Sequence, residues 1–394
     1  MTVDQIKKDI ETVYDDVVSM RRHLHMYPEL SNEEQKTMEY ISEKLTEMGI
    51  ENVTNVGGHG VVAVIGNPDK GKTIGIRADI DALPVEEMND FEYKSTVPGV
   101  MHACGHDVHT ASLLGTAKVF KAHESEMKGA VKLFFQPAEE KGGGAKYMIA
   151  DGYMKNPDVS SMLGFHVVPG KPTGFLQFFP KQGNACSSGV KIRIHGLASH
   201  GSTPQNGIDA IVTAAQVINN LQTVVSRMVA PIDPAVLTFG TIVGGTKKNI
   251  IADFVEMDGT IRTYSVAVRD QIREKITMIT NATVAASGAT AEIIFADGYP
   301  PIINDEATVE KMRKLTAEVL GEDSYDICTI PTMGGEDFSY FANEVPSCYF
   351  KVGVNDGSST HPQMLHNEWL APDENAMKNA ILMEVLGAQM LMEE

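Results

Sequence analysis

The sequence predicts an α/β protein in which helices sandwich a mixed sheet, interrupted by a smaller inserted α+β domain of ferredoxin-like order. Short apolar runs of strand length alternate with longer stretches of helical periodicity, the pattern of a sheet covered by helices. Between residues 183 and 296 the order becomes strand–helix–strand–strand–helix–strand, the split βαβ unit. A chain of 394 residues also suits two domains or one large one. The expected division is therefore 1–182, 183–296 and 297–394, with the first and last segments forming one discontinuous domain.

Each element has its own signal. Ile6, Ile10, Val13, Val17 and Met20 lie on one face of a first helix that stops before Tyr27-Pro28-Glu29. Ser31 followed three residues later by Glu34 reads as a capping box for a second helix running to about Met48. Residues 61–65 and 73–80 read as buried strands joined by the turn Asn67-Pro68-Asp69. A helix over 109–122 turns Leu113, Leu114, Ala117 and Phe120 inward. A strand at 131–135, a helix near 144–151 and strands around 162–167 and 174–179 follow. Composition shifts at Gln182-Gly183-Asn184. The inserted segment then reads as strand 189–195, helix 208–228, strands 235–243 and 251–263, helix 266–286 and strand 291–295. Its first helix carries Ile211, Ala215, Ile218, Leu221, Val225 and Met228 as an apolar stripe. The remainder resumes with helix 306–320, strands 327–331 and 347–353, and helix 373–391.

The 52 acidic and 33 basic residues give a formal charge of −19, which argues against a nucleic acid or an anionic membrane surface as partner. No apolar run approaches the ~20 residues of a bilayer span. The first eighteen residues lack the basic start and apolar core of a secretion signal, so a cytoplasmic location is expected. Cys104, Cys186, Cys328 and Cys348 are too few and too scattered for a disulfide framework.

Two nucleotide-binding motifs are present by letter and fail by context. Gly66-Asn67-Pro68-Asp69-Lys70-Gly71-Lys72-Thr73 fits the phosphate-loop pattern, but a strand rather than a helix follows it, and Pro68 removes an N–H donor. Gly58-His59-Gly60-Val61-Val62-Ala63 leads into a strand, whereas a dinucleotide fingerprint leaves one.

The chemistry concentrates elsewhere. Met101-His102-Ala103-Cys104-Gly105-His106-Asp107-Val108-His109 packs three histidines and a cysteine into eight residues. On an extended segment Cys104 and His106 point to the same side and can reach one metal cluster. Asp107 and His109 are candidates to cap the following helix, and His102 to stand behind the ligands. Glu139 and Glu140 follow a buried strand directly, where α/β folds place their sites. Adjacent side chains point different ways, so one can bind a metal while the other faces an attacking water as general base. His166 ends an apolar strand, and His361 and His366 flank a turn. Together Cys104, His106, Glu140, His166 and His366 supply enough N, O and S donors for two closely spaced divalent ions.

Arg77-Ala78-Asp79-Ile80-Asp81-Ala82-Leu83-Pro84, His102-Ala103-Cys104-Gly105-His106-Asp107, Gln136-Pro137-Ala138-Glu139-Glu140, Met333-Gly334-Gly335-Glu336-Asp337-Phe338 and His366-Asn367, in this order, resemble the M20 metallopeptidase family. The match is to its amidohydrolase branch, which includes hippurate hydrolases, bacterial aminoacylases and plant auxin-conjugate hydrolases. The resemblance spans nearly the whole chain. It implies two divalent ions (Zn, Mn, Co or Ni) held in the larger domain by Cys104, His106, Glu140, His166 and His366, with Glu139 as general base and Asp81 behind the ligands. Asp79 stands where other branches carry histidine, and the cysteine ligand accompanies that change.

The inserted domain is implied to be a lid and a dimerisation surface. There Ala198-Ser199-His200-Gly201 resembles the segment whose histidine reaches an active site, and Asn249 and Arg262 fall in segments that meet substrate. The implied reaction is hydrolysis of an N-acyl amino acid. Glu139 takes a proton from the attacking water and returns it to the leaving amine, His200 and the ions stabilise the oxyanion, and Asn249 and Arg262 hold the substrate carboxylate. A dipeptidase or carboxypeptidase of the wider family is the nearest alternative. A non-catalytic relic of the fold is a more distant one, disfavoured by retention of both glutamates.

Overall fold

The structure, a computed structural model, describes residues 1–393. In chain order it forms α1 (Val3–Met26), α2 (Gln35–Glu47), β1 (Asn52–Val56), β2 (Gly60–Gly66), β3 (Thr73–Asp79), α3 (His106–Ala122), β4 (Ala130–Gln136), α4 (Gly144–Ala150), β5 (Val159–Pro172) and β6 (Leu176–Phe178). There follow β7 (Cys186–His195), α5 (Ala210–Thr223), β8 (Ala235–Gly244), β9 (Phe254–Thr263), α6 (Val266–Ser287) and β10 (Thr290–Asp297). The chain closes with α7 (Glu306–Leu320), β11 (Tyr325–Ile327), α8 (Ser339–Glu344), β12 (Ser347–Asn355) and α9 (Ala376–Met392).

The chain divides into two compact units. One comprises Met1–Gly183, Ile302–Ile330 and the segment from Asp337 onward; the other comprises Asn184–Pro301 and Pro331–Glu336. Residues 331–336 join the second unit through Ala185, whose N–H donates to the Gly334 carbonyl at 3.1 Å, and through a bridge between Asn184 and Thr332.

The first unit holds an eight-stranded mixed sheet in the order β1-β2-β4-β3-β5-β12-β6-β11. Its central strands β4, β3, β5 and β12 run parallel. Period-2 alternation feeds two cores. Leu133, Phe135, Leu163, Phe165 and Phe350 pack with residues of α1, α3 and α9, whereas Phe134, Met162 and Tyr349 pack with Ala145, Met148 and Phe341 of α4 and α8. The sheet is covered on both faces, as the mixed apolar runs require. In the second unit the sheet is fully antiparallel, in the order β10-β7-β9-β8, with α5 and α6 packed over its apolar side chains. That order and the strand–helix sequence give the ferredoxin-like topology.

Several local expectations are corrected. The capping box at Ser31 and Glu34 does not form: α2 starts with no side-chain cap on Glu34, and Glu29 Oε2 instead accepts the Thr37 N–H and hydroxyl at 2.8 and 2.9 Å. The helix expected from 109 begins at His106, so residues 106–109 of the motif form its first turn while Cys104 precedes it. Neither Asp107 nor His109 caps it, because Gly105 does so with φ +83°. A Cβ on Gly105 would also meet Val167 Cγ2 at 2.5 Å, which reserves the position for glycine. The strand expected at 327–331 is shorter and earlier, Tyr325–Ile327, and the helix expected to reach 228 ends in a π-turn over Val224–Met228. The Gly66–Thr73 stretch folds as a short 3-10 turn, Pro68–Lys70, between β2 and β3, as its strand context predicts.

Candidate metal centre

Parallel strands run toward one edge of the first unit's sheet, where the loops leaving β3 and β4 place polar side chains. There β5 presents His166, which lies inside this strand rather than at its end because β5 continues to Pro172. Cys104 Sγ is central: His166 Nε2 and His366 Nε2 each approach it to 3.4 Å. His366 Nε2 also lies 3.2 Å from Glu140 Oε1, and His106 Nε2 lies 4.0 Å from the same oxygen. Donor atoms of Cys104, His106 and His166 fall within 4.8 Å of one another, as do those of Cys104, Glu140 and His366, and those of His106, Glu139 and Glu140. All five residues expected to bind metal therefore converge, with Glu139 beside them.

The histidines are oriented from behind. His106 Nδ1 lies 2.9 Å from the Asp81 carbonyl, which only accepts, so Nδ1 carries a proton and Nε2 is the nitrogen turned inward. The buried Nε2 has no hydrogen-bond partner. His166 is held in the same way by the Val167 carbonyl at 2.7 Å from its Nδ1. His366 is fixed through its backbone, with φ +60° and its N–H donating to the Ala103 carbonyl at 2.7 Å.

The donor set fits divalent ions on three counts. The buried His106 Nε2, which makes no hydrogen bond, and the Glu140 Oε1 that His366 also approaches face the same space. A tetrahedral ion bound by one thiolate and one imidazole separates the two donors by ~3.5 Å, close to both Cys104–histidine distances. The field also favours a cation. Against burial, Asp79, Asp81 and Glu140 push the His106 ring up to about 10. Burial, with the charges of Glu140, Glu139 and Asp79, pushes the Cys104 thiol well above its usual value, so its thiolate requires a cation beside it.

A buried framework surrounds this cluster. Arg77 bridges Asp79 at 2.8 Å and Asp337 at 2.7 Å, and its Nε donates to Gln136 Oε1 at 2.7 Å. Gln136 Nε2 in turn donates to both Asp337 oxygens. Asp79 Oδ1 takes the His109 Nδ1–H at 2.5 Å, and His109 Nε2 accepts the Val167 N–H at 3.0 Å. Both nitrogens of His109 are thus committed to the framework. Despite its burial, Asp79 is held well below the usual carboxylate range by His106, Arg77 and His109. Asp107 pairs with Arg21 Nε and with His25 Nδ1, each at 2.8 Å, and His25 Nε2 reaches Glu87 at 3.0 Å.

In the second unit, His200 is exposed, and the Ser202 N–H donates to its Nδ1 at 3.2 Å, which leaves the ring proton on Nε2. The Asn249 carbonyl accepts the Gly201 N–H at 2.8 Å, and His200 bridges Ile250, so the His200 and Asn249 segments are neighbours. Arg262 is half-buried on β9, bonded to Thr260 Oγ1 and to the Ile261 carbonyl.

Residues 75–386 match the sequence profile of peptidase family M20/M25/M40. The chain belongs to that family. Among its relatives, an N-acyl-L-amino acid amidohydrolase of Geobacillus stearothermophilus is 40% identical over 305 residues, covering 77% of this chain and 82% of that protein. Thermostable carboxypeptidase 1 of Saccharolobus solfataricus is 37% identical over 388 residues, covering 98% and 97%. A Bacillus subtilis crystal structure described as a dinuclear metal binding peptidase from the M20 family superposes with a TM-score of 0.82 at 32% identity, covering 97% of this chain and 99% of that one.

Sequence reasoning named this M20 chain's cluster and missed the charges that hold it. Arg77, Asp79 and Asp337 lie inside the quoted motifs, but their pairing spans 260 residues of chain. The available signal was a charged residue in an otherwise apolar strand, Arg77 between Ile76 and Ala78.

Proposed function

We propose that this chain is a metal-dependent amidohydrolase that cleaves N-acyl amino acids to a carboxylic acid and a free amino acid. The observation that carries this reading is the convergence of Cys104, His106, Glu140, His166 and His366 on one space with Glu139 at its edge. These five would hold two divalent ions, Zn, Mn, Co or Ni. When bound, such ions supply Lewis acidity that polarises a carbonyl and acidifies water.

The chain's own residues do the rest. Glu139, adjacent to a ligand yet pointing from the next position of the turn, takes the proton of the attacking water and hands it to the departing amine. His200, with its proton on Nε2, donates to the developing oxyanion. Asn249 and Arg262 bind the substrate's free carboxylate.

A second reading has its own support, because the Saccharolobus relative is named a carboxypeptidase. Both reactions cleave an amide next to a free carboxylate. They differ in whether an acyl group or a peptide lies on the other side. A panel of N-acetyl, N-benzoyl and longer N-acyl amino acids, assayed beside di- and tripeptides with the metal-loaded protein, separates them. Preference for acyl amino acids supports the proposal, and exclusive cleavage of peptides contradicts it.

The inserted domain supports a homodimer. β8 is the edge strand of its sheet, ten residues long, with Val236, Ile242 and Val243 exposed. Light scattering at twice the chain mass is the expected result. Among the described residues no helix is long and apolar enough to cross a membrane.

A further inference from the structure

Ser31 and Glu34 have the spacing of a capping box and are used for something else. Leu30 to Glu33 form a tight turn, closed by the Glu33 N–H to the Leu30 carbonyl at 2.8 Å, with Asn32 in the left-handed region at φ +69°. The turn is strapped to the segment after β3: the Ala82 N–H donates to the Glu29 carbonyl at 2.8 Å, and Leu30 bridges Ala82. From this anchorage it grips residues 138–141 at three points. The Ser31 hydroxyl donates to Asp81 Oδ2 at 2.6 Å, and that oxygen also accepts the Glu140 N–H at 3.0 Å. Asn32 Nδ2 donates to the Lys141 carbonyl at 2.9 Å. Glu34 Oε1 accepts the Ala138 N–H at 2.8 Å.

Ala138 is where the β4 loop needs holding. It adopts φ +54°, a conformation that costs an L-residue roughly 1–2 kcal/mol. This kink separates Gln136, anchored on Asp337, from Glu139 and Glu140. The Ala138 carbonyl is taken by the Gly143 and Gly144 N–H groups at 3.0 and 3.3 Å, so with Glu34 both of its backbone polar groups are fixed. Glu34 is fully buried, a costly place for a carboxylate, and α2 does not need it because Glu29 caps that helix. Burial and the charge of Asp81 push the Glu34 carboxyl up to about 7, so a glutamine is a fair mimic of it near neutrality.

We propose that the 31–34 turn is a brace that aims Glu139 and Glu140, and that Glu34 is a positioning residue for the reaction. The catalytic part rests on the reading of Glu139 as base and Glu140 as ligand. Glu34→Ala is expected to lower kcat about 30-fold, with KM within about twofold and metal content unchanged, since small misplacements of a reacting group carry penalties of this order. Glu34→Gln keeps an acceptor oxygen at the same reach and restores kcat to within about threefold of wild type. Glu29→Gln weakens the α2 cap and is expected to lower Tm without lowering kcat.

Hydrogen exchange tests the brace without any substrate. A peptide covering 137–143 exchanges roughly tenfold faster in Glu34→Ala and at the wild-type rate in Glu34→Gln. If Glu34→Ala does not fold, Asn32→Gly removes a second grip while tolerating the positive φ, and it accelerates the same peptide. Unchanged exchange in that peptide overturns the proposal. So does a kcat loss shared equally by the Ala and Gln variants, or one reproduced by Glu29→Gln. If the wild type hydrolyses no N-acyl amino acid, the functional reading fails while the exchange result still decides the brace.

Discussion

In the eight-stranded sheet β3 and β4 are buried at every position, whereas in the four-stranded sheet β7 alternates between buried and half-exposed residues and β10 is largely open on alternate positions. The difference decides how each unit holds a polar side chain. Near the end of doubly covered β3, Arg77 and Asp79, with Asp337 from the turn before α8, sit in a low-dielectric interior where each must be paired, and pairing fixes their geometry to within a hydrogen bond. In the one-sided sheet, His200 and Asn249 are exposed and are placed by backbone hydrogen bonds of their loops. Substitutions in the buried framework around the first unit's cluster should therefore cost both rate and stability. Those in the second should cost rate alone.

The largest effect is expected at Glu139. Glu139→Gln keeps size and removes the base, and turnover should fall by about 10³ or more while elemental analysis finds both metals retained. Near-normal hydrolysis would erase the distinction between Glu139 and Glu140. Next comes Arg77→Met, which leaves Asp79 and Asp337 buried without their cation. Chemical denaturation should show a loss of about 3–5 kcal/mol, and a loss below 1 kcal/mol would mean that the framework is not held as described. His200→Ala should lower kcat by about 10², with Tm unchanged because the ring is exposed. A matching drop in Tm would contradict the division between the units.

The smallest expected effect lies in α9. Glu384 is fully buried, accepts the Thr116 hydroxyl at 2.5 Å, and is pushed up to about 8 by burial. Its carboxyl stays protonated in the folded chain while the unfolded chain ionises near 4.5. The folded state then binds more protons, so this contribution is full below pH 4.5 and is lost as pH rises towards 8. Between pH 6 and 8 the wild type should lose about 2 kcal/mol relative to Glu384→Gln. Denaturation curves that keep a constant gap across that range would contradict a neutral Glu384.

Much of this was legible in the sequence, for local reasons. Strand and helix periods identified the sheet, the inserted ferredoxin-like order and the apolar faces, because burial acts on every second or every third to fourth residue. The metal cluster was legible because Cys104, His106 and the Glu139-Glu140 pair are residue types that a surface turn rarely gathers. What remained hidden was long-range. The Ser31–Glu34 spacing is identical in a capping box and in a brace, and only the fold brings Ala138 within reach of Glu34. His109 looked like a helix cap, and only the fold puts Asp79 and the Val167 N–H on its two nitrogens.

The central claim is that hydrolysis depends on two ions held by Cys104, His106, Glu140, His166 and His366. It is tested most directly by removing all metal with a chelator and adding back Zn, Mn, Co or Ni stepwise while hydrolysis of an N-acyl amino acid and bound metal are measured together. Activity that is absent without metal and rises to a plateau at two ions per chain, with Cys104→Ser failing to reach it, is the predicted result. Full activity in the metal-free protein, or a Cys104→Ser variant that binds two ions as tightly as wild type, would contradict it.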